Sequence, residues 1–469
     1  MSAGVLTLAD VLEATGGTLV CDPPGSMAGL AFTSVSIDSR SLEPGALFVA
    51  IRGPRFDGHA FAAEAAGRGA RAVLMERSAP AAGLPVVRVA DTARALAELA
   101  RHVRRRAAIP VVGITGSVGK TITKDMTAHL LATRGPVLKT EGNLNNRYGL
   151  PLTLLRLRPE HTAAVLELGM SAPGEIRALT ALAEPDVATI TKVAPVHLEF
   201  FPSLDAIAEA KAEILEGLSP AGTAVLNGDD RQLRRIGERF GGRVLWFGRE
   251  RRFDVSAESW RASALGTRFE LRVAGRSVEL ALPLAGPHFV SDFLAAAAAA
   301  HVLGVAPEAM AQAARSLAPA RHRGELRRLG EGVVLLDDCY NSSPDALEAA
   351  VVALGLLPGR RRVAVLGDML ELGPTGPALH REGGRTLAGR VDVVVGVGPL
   401  AKQIVDGARA AGMNGGSLHH FDSAPEAASA ATALVAAGDA VLVKASRGLR
   451  LEAVVDALVA RFGDGEGQA

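Results

Sequence analysis

Disulfide bonds, a membrane span and a nucleic-acid-binding surface all find little support in this sequence of 469 residues. Its two cysteines, Cys21 and Cys339, lie in unlike contexts, which indicates a reducing compartment. His301 interrupts the longest alanine-rich stretch, so no apolar run is long enough to cross a membrane. The net charge is +1, too small for a basic field that attracts nucleic acid. Because the N-terminus also lacks a signal-peptide pattern, we expect a soluble, cytoplasmic protein.

Aromatic residues are scarce as well, at 4%, whereas apolar residues make up 48% and glycine contributes 52 residues. Short apolar strands alternate with helical stretches, which predicts an α/β fold with parallel sheets. The chain is too long for one hydrophobic core. We predict an N-terminal domain over 1–85, a linker helix over 86–108, a central domain over 109–319 and a C-terminal domain over 320–469.

Two local patterns refine this prediction. Residues 242–284 alternate polar and apolar side chains, which indicates a small antiparallel insertion in the central domain. The C-terminal strands and helices alternate as in a doubly wound, Rossmann-like domain. The arginine triplet 104–106 closes a predicted helix and is expected to be a solvated helix end.

A glycine-rich turn follows the apolar strand 109–114 and precedes a predicted helix. Glycines allow backbone N–H groups to approach phosphate oxygens, and the helix N-terminus attracts negative charge. A lysine here would reach the outer phosphates and a threonine hydroxyl would bind Mg²⁺. The alternative is a tight turn that carries an ordinary surface lysine. The predicted ATP-contacting residues are Gly116, Ser117, Val118, Gly119, Lys120, Thr121 and Ile122.

Polar residues follow other apolar strands, where ligands of parallel sheets collect. Glu167 ends one strand and is a natural Mg²⁺ ligand, although a capping or salt-bridged role is equally open. His197 follows another strand and, by itself, could be structural. Lys211 lies on an amphipathic helix, where a lysine alone would be solvated.

The C-terminal domain carries two further candidate segments. Residues 337–344 end a strand and precede a proline-started helix, which suits ribose and base contacts or a simple capped turn. Residues 444–450 end the last strand and contain lysine and arginine, which bind carboxylate and phosphate. A basic surface loop is the alternative there.

Over nearly the whole chain these motifs resemble those of the Mur ligase family. The quoted segments are Asp38-Ser-Arg40, Gly116–Thr121, Gly142-Asn-Leu-Asn-Asn146, Glu167-Leu-Gly169, His197-Leu-Glu199, Ala210-Lys-Ala-Glu213, Asp337-Asp338, Tyr340-Asn341, Leu366–Gly373 and Lys444–Gly448. The run Leu366–Gly373 is most similar to the member that adds D-alanyl-D-alanine. The Asp-Asn-Pro-Arg string of the member that adds a diamino acid does not occur.

The resemblance implies a three-domain fold and an ATP-dependent ligase of peptidoglycan precursor synthesis. It implies D-alanyl-D-alanine and UDP-N-acetylmuramoyl-tripeptide as substrates, an acyl-phosphate intermediate and a monomer. The implied catalytic residues are Lys120, Glu167, His197 and Lys211, with Lys211 carbamylated. The implied Mg²⁺ ligands are Thr121, Glu167, His197 and Lys211. Further implied ATP contacts are His288, Arg323, Asp338 and Tyr340, and the implied substrate contacts are Ser39, Arg40, Asn145, Asn146, Lys444 and Arg447.

The chain departs from the family at the segment expected beside adenine. Phe289 removes an amide, and an ionised Asp292 accepts hydrogen bonds but cannot donate them. Two alternatives therefore stay open beside the ligase. One is a folylpolyglutamate synthase-like ligase, which residues 36–59 oppose. The other is a regulatory protein with a degenerate nucleotide site.

Overall fold

The computed structural model describes residues 6–21, 29–53, 56–77, 83–463 and 465. Their strands, in chain order, are β1 (Leu6–Thr7), β2 (Thr18–Cys21), β3 (Ala31–Phe32), β4 (Val35–Ser36), β5 (Leu47–Val49), β6 (Ala72–Met75), β7 (Val86–Arg88), β8 (Val111–Thr115), β9 (Val137–Lys139), β10 (Ala163–Glu167), β11 (Val187–Ile190), β12 (Thr223–Asn227), β13 (Arg243–Gly248), β14 (Val255–Ser263), β15 (Gly266–Val273), β16 (Arg276–Leu282), β17 (Glu325–Arg328), β18 (Val334–Asp338), β19 (Arg362–Gly367), β20 (Val393–Val397), β21 (Leu418–Phe421) and β22 (Ala440–Lys444).

The α-helices of the same residues alternate with these strands. They are α1 (Leu8–Thr15), α2 (Ala62–Gly67), α3 (Thr92–Ala107), α4 (Lys120–Leu131), α5 (Gly149–Leu154), α6 (Glu175–Ala183), α7 (Leu204–Ala212), α8 (Arg231–Arg239), α9 (Pro287–Val302), α10 (Pro307–Ala314), α11 (Pro344–Leu356), α12 (Gly376–Arg385), α13 (Ala401–Ala410), α14 (Ala424–Leu434) and α15 (Glu452–Phe462). None of them combines the length and the apolar character needed to span a membrane.

The first of two compact units comprises residues 1–114, 134–188 and 213–222. Its N-terminal sheet has the strand order β2-β7-β6-β5-β4, in which only the β2–β7 pair is antiparallel. Strands β5 and β6 are buried along their whole length, as strands covered on both faces must be. In the same unit β10 pairs in parallel with both β8 and β9.

The second unit comprises residues 115–133, 189–212 and 223–469. Strands β12, β13 and β14 pair in parallel, and β14, β15 and β16 then form an antiparallel meander. The predicted antiparallel insertion is therefore confirmed, and it begins at β14. The C-terminal sheet has the order β17-β18-β22-β19-β20-β21, with only β17 antiparallel. Hydrophobic clusters cover both faces of this sheet.

Helix α9 is buried along most of its length in the second unit. It lies against α4 and against β12, β13 and β14. Residues 295–300 are six consecutive alanines with no exposed surface. Side chains without atoms beyond Cβ allow the backbones of α9 and α4 to approach closely, so α9 determines where α4 lies against the sheet.

The predicted α/β fold class is confirmed, and the four-part division at 85, 108 and 319 stays a prediction. One local expectation is wrong. Arg104 is buried rather than solvated, because its guanidinium donates to the carbonyl oxygens of Ala183 and Glu184 at 2.9 and 3.0 Å. These carbonyls end helix α6, where a cation is favoured. Arg105 and Arg106 do form ion pairs nearer the surface, with Glu184 and Asp10.

Candidate nucleotide and metal site

The glycine-rich loop connects β8 to α4 and is fixed by the segment that follows β11. The Ser117 N–H donates to the Lys192 carbonyl at 2.7 Å, and the Ser117 hydroxyl donates to the Ala194 carbonyl at 3.0 Å. The Thr191 hydroxyl donates to the Val118 carbonyl at 2.6 Å. Three hydrogen bonds to residues 191–194 therefore hold the loop in one shape.

Two glycines of this loop are required by close approach as well as by backbone conformation. At Gly116, where φ is 153°, a Cβ atom would lie 1.9 Å from the Thr191 hydroxyl oxygen. At Gly119, where φ is 83°, it would lie 2.2 Å from a carboxyl oxygen of Asp292. No larger residue fits either position without displacing its neighbour, so both positions require glycine.

Lys120 is the first residue of α4, and Thr121 and Ile122 follow it in the first turn. The Lys120 ammonium donates to the Gly116 carbonyl at 2.7 Å and to the Ser117 carbonyl at 3.4 Å. A lysine and a helix N-terminus therefore meet at the same loop. This combination concentrates positive potential where a phosphate chain would lie.

Lys211 is buried, with 1% of its surface exposed, so the solvated-lysine alternative is wrong. Burial, and secondarily the positive charge of Lys120, lower the pKa of Lys211 well below its usual value. A lysine in these surroundings holds a neutral amine over a wider pH range than an exposed one. Lys120 and Lys211 are thus brought close enough to interact electrostatically.

His197 contacts a carboxylate from a distant part of the sequence. Its ring Nδ1 is paired with the Glu371 carboxylate, and the Glu199 N–H donates to the Glu371 carbonyl at 3.3 Å. Both His197 and Glu371 adopt left-handed backbone conformations, with φ of 56° and 63°. The hydrogen bond from His197 lowers the pKa of Glu371. We did not predict Glu371 as a site residue, although it lies within the run Leu366–Gly373 that separates members of the family.

The predicted ATP and substrate residues of the C-terminal sheet lie together. The Arg323 guanidinium stacks on the Tyr340 ring at 4.0 Å, and Arg447 lies 5.6 Å from the same ring. The Lys444 ammonium donates to the Asp338 carboxylate at 2.6 Å and to a backbone carbonyl at 3.0 Å. Burial raises the pKa of Asp338, and Lys444 opposes this shift. An aromatic face and three cations therefore adjoin one another.

His288 and Asp292 occupy the first turns of α9. Nδ1 of His288 is buried and has no hydrogen-bond partner among the described residues. Burial and the charge of Lys444 lower the pKa of His288 to about 4, so the ring is neutral at pH 7. Burial raises the pKa of Asp292 to about 8, against the effect of Lys192. Below that pH a protonated Asp292 can donate, so the acceptor-only behaviour expected of an ionised Asp292 does not apply.

The remaining predicted residues lie in the first unit. The Asn145 side-chain amide donates to the buried Glu167 carboxylate at 2.9 Å, so these two predicted residues are in contact. The Asn146 side chain accepts from two backbone amides at the start of α5. Ser39 is buried, whereas Arg40 is largely exposed and forms an ion pair with Asp38. The Arg40 guanidinium lowers the pKa of Asp38 to about 2.

Comparisons with known proteins agree with one another. Family models match three segments: "Mur ligase family, catalytic domain" over residues 31–104, "Mur ligase middle domain" over 114–300 and "Mur ligase, glutamate ligase domain" over 322–447. The UDP-N-acetylmuramoyl-tripeptide--D-alanyl-D-alanine ligase of Synechocystis sp. is 38% identical over 92% of this chain and 93% of its own.

Two solved structures are similar over nearly their full length. A MurF crystal structure from Acinetobacter baumannii has a TM-score of 0.89 and 31% identity, and the match covers 98% of this chain and all of that one. MurF from Thermotoga maritima in complex with ADP has a TM-score of 0.79 and 32% identity, over 91% of this chain and 97% of that one.

Proposed function

Because this chain belongs to the Mur ligase family, we propose that it is the ligase that joins D-alanyl-D-alanine to UDP-N-acetylmuramoyl-tripeptide at the expense of ATP. The similarity to a ligase of that name extends over 92% of the chain and includes the segments that carry the candidate site. We also propose a cytoplasmic location, while the monomeric state stays a prediction.

The observation that carries the proposal is the environment of Lys120. The loop before it is fixed in shape, two of its glycines admit no Cβ, and a buried lysine with a lowered pKa lies close by. A simple strand–helix turn needs none of these features. A site that transfers a phosphoryl group uses the fixed loop and the Lys120 ammonium to stabilise oxygens that become more negative.

ATP fits the residues present. Apart from the Ser117 N–H, which is bonded to the Lys192 carbonyl, the backbone amides from Gly116 to Ile122 would contact its phosphates. Lys120 would exchange its backbone carbonyl partners for phosphate oxygens. The unpartnered Nδ1 of His288 provides a buried acceptor or donor for the base. The stacked Arg323 and Tyr340 provide a flat, cationic face for the rest of the nucleotide, beside Asp338.

Magnesium also fits, since hydroxyl and carboxylate oxygens are the ligands it prefers. Within the second unit we propose Thr121, His197 and a modified Lys211 as Mg²⁺ ligands. Within the first unit, taken by itself, we propose Glu167 as an Mg²⁺ ligand. Bound Mg²⁺ would neutralise charge on the transferring phosphoryl group. The pairing of His197 with Glu371 would have to open for the ring nitrogen Nδ1 to act as a ligand.

Carbamylation explains why Lys211 is buried beside another cation. The neutral amine nitrogen attacks carbon dioxide, forms an N–C bond and loses one proton, which leaves a carbamate anion. This reaction requires an unprotonated amine, and burial supplies one. The product places a negative charge next to the Lys120 ammonium, so the two groups attract each other.

The proposed reaction has two steps. The tripeptide carboxylate attacks the γ-phosphorus of ATP and releases ADP, which gives an acyl phosphate with a good leaving group. The amine of D-alanyl-D-alanine then attacks the carbonyl carbon, loses a proton and expels phosphate through a tetrahedral intermediate. The proposed substrate contacts are Ser39, Arg40, Asn145 and Asn146 in the first unit and Lys444 and Arg447 in the second.

Measurement of phosphate release tests this proposal. We expect release from ATP only when both UDP-N-acetylmuramoyl-tripeptide and D-alanyl-D-alanine are present, with a stoichiometric amide product. Release that requires a folate and glutamate instead would establish the folylpolyglutamate synthase-like alternative. Tight ATP binding without release under any combination would favour the regulatory alternative and overturn the ligase assignment.

A further inference from the structure

Three side chains outside the proposed catalytic machinery, two buried and one partly buried, meet at the C-terminal sheet. Asp337 lies near the end of β18, Cys339 follows that strand, and His322 lies in the loop before β17. Nδ1 of His322 is 2.7 Å from a carboxyl oxygen of Asp337. One potential metal-binding atom from each of the three residues lies within 4.8 Å of the other two. Asp337 and Cys339 have no exposed surface.

These donors are nitrogen, oxygen and sulfur, a combination that discriminates among metals. Mg²⁺ prefers oxygen ligands, whereas a thiolate and an imidazole favour Zn²⁺ and other borderline-soft cations. We propose that His322, Asp337 and Cys339 form a binding site for Zn²⁺ that is separate from the proposed Mg²⁺ ligands. The three side chains leave a fourth coordination position for water or another ligand.

The geometry requires only small movements, in which Nδ1 of His322 and the Asp337 carboxyl oxygen, now 2.7 Å apart, would separate slightly. Zinc bonds of about 2.0–2.3 Å place the donors of a tetrahedral site about 3.5 Å apart. The three atoms, now within 4.8 Å of one another, would each need to move by about 1 Å or less. Binding forms a Zn–S bond and breaks the thiol S–H bond of Cys339, and the proton leaves to solvent.

The cluster also has a reading without a metal, as a hydrogen-bonded group around the Asp337 carboxylate. The Cys339 N–H donates to this carboxylate at 3.4 Å, and the His322 ring faces it from the other side. That reading predicts no affinity for zinc beyond that of scattered surface ligands. The two readings therefore differ in a quantity that is measured directly.

The cluster lies next to the residues proposed to bind the nucleotide, so metal binding there should affect nucleotide binding. His322 directly precedes Arg323 and Cys339 directly precedes Tyr340, and the Tyr340 N–H donates to the His322 carbonyl at 3.1 Å. Movement of His322 and Cys339 on binding zinc would therefore shift the stacked Arg323–Tyr340 pair. We expect zinc to weaken ADP binding, and this expectation rests on the nucleotide role proposed for that pair.

Cobalt titration of the full chain, without nucleotide, tests the site. Co²⁺ substitutes for Zn²⁺ and absorbs in the near ultraviolet when a thiolate binds it. We expect one equivalent to produce this band, Zn²⁺ to abolish it and excess Mg²⁺ to leave it unchanged. The proposed Mg²⁺ ligands contain no sulfur, so they cannot produce the band.

Matched variants test whether the sulfur that binds the metal is that of Cys339. Cys339→Ser keeps the size of the side chain and should lose the band and weaken Zn²⁺ binding by about tenfold or more, whereas Cys21→Ser should match the parent chain. His322→Gln should weaken Zn²⁺ binding without removing the band. Absence of the band in the parent chain, or its persistence in folded Cys339→Ser, overturns the site. A site that binds zinc while ADP affinity stays unchanged overturns only the coupling to nucleotide.

Discussion

Replacing Asp292 with asparagine should stabilise the protein, and the gain should grow with pH. Asp292 lies in α9, with its carboxyl group against Gly119 and near Thr123 and Lys192. Burial raises its pKa from an ordinary 3.8 to about 8. The ionised form is therefore disfavoured in the folded chain. Asparagine has nearly the same shape and carries no proton to lose.

The sign and size of this change in the free energy of unfolding follow from proton linkage. Between pH 4 and 8 the unfolded chain has lost the Asp292 proton and the folded chain has kept it, so folding costs more as the pH rises. Each pH unit in this window contributes about 1.4 kcal/mol. At pH 7 the accumulated cost is about 4 kcal/mol, and at pH 4.5 it is about 1 kcal/mol. Asp292→Asn should remove this cost and its pH dependence.

Tryptophan fluorescence provides a local probe of unfolding. Both tryptophans of the chain, Trp246 and Trp260, lie on β13 and β14, the strands against which α9 packs. Urea unfolding followed at these residues, between pH 4.5 and 9, should give unfolding free energies that diverge between parent and variant. Asp205→Asn is the control, since the Asp205 side chain is 65% exposed.

Parallel pH profiles for the parent and Asp292→Asn would refute the reasoning. A variant that is less stable than the parent at pH 7 would do so more strongly, because it would show that an ionised Asp292 is paired and stabilising. The same titration can be repeated with ADP. Weaker ADP binding to the parent above pH 8, but not to the variant, would connect the Asp292 proton to nucleotide recognition.

The other predictions concern single contacts of the proposed site. Lys211→Ala should abolish ligase activity while the chain stays folded, and a short carboxylic acid added to the assay should partly restore it; parent-like rates would exclude a carbamate. Gly116→Ala should lower ADP affinity at least about tenfold in calorimetry, because its Cβ meets the Thr191 hydroxyl at 1.9 Å, whereas Gly355→Ala, with no atom in the way, should bind normally. Tyr340→Leu should weaken ADP binding by about 1 kcal/mol and Tyr340→Phe should not, and equal losses would show that the hydroxyl rather than the ring matters.

Strands with a continuous apolar pattern were predictable, and strands at sheet edges were not. The sequence predicted β12 and β22 with their observed bounds, since every residue of these strands is buried. It missed β17, with its two arginines, and β21, with its two histidines. Both lie at the outer edges of the C-terminal sheet. An edge strand needs fewer apolar residues, so it leaves a weaker periodic signal.

The residue types at the site could be predicted from the sequence, but the burial of these side chains and their contacts could not. A lysine flanked by alanines and glutamates has the pattern of an exposed helix face, and only tertiary packing buries Lys211. Arg104 was misread for the same reason, because its acceptors lie about 80 residues away in sequence. Glu371 meets His197 from a segment 174 residues distant. Such pairings depend on the topology of the fold, which cannot be predicted from a short stretch of sequence.

The six alanines of α9 have a consequence for how this protein can change over evolutionary time. An alanine has no rotamers, so this part of the helix loses no side-chain entropy on folding and has no alternative packing to sample. Only glycine is smaller than alanine, and a larger residue in this stretch would have to displace α4. Adaptation to a new temperature would therefore have to arise elsewhere in the chain, while residues 295–300 preserve the packing of α9 against α4, the helix that begins at Lys120.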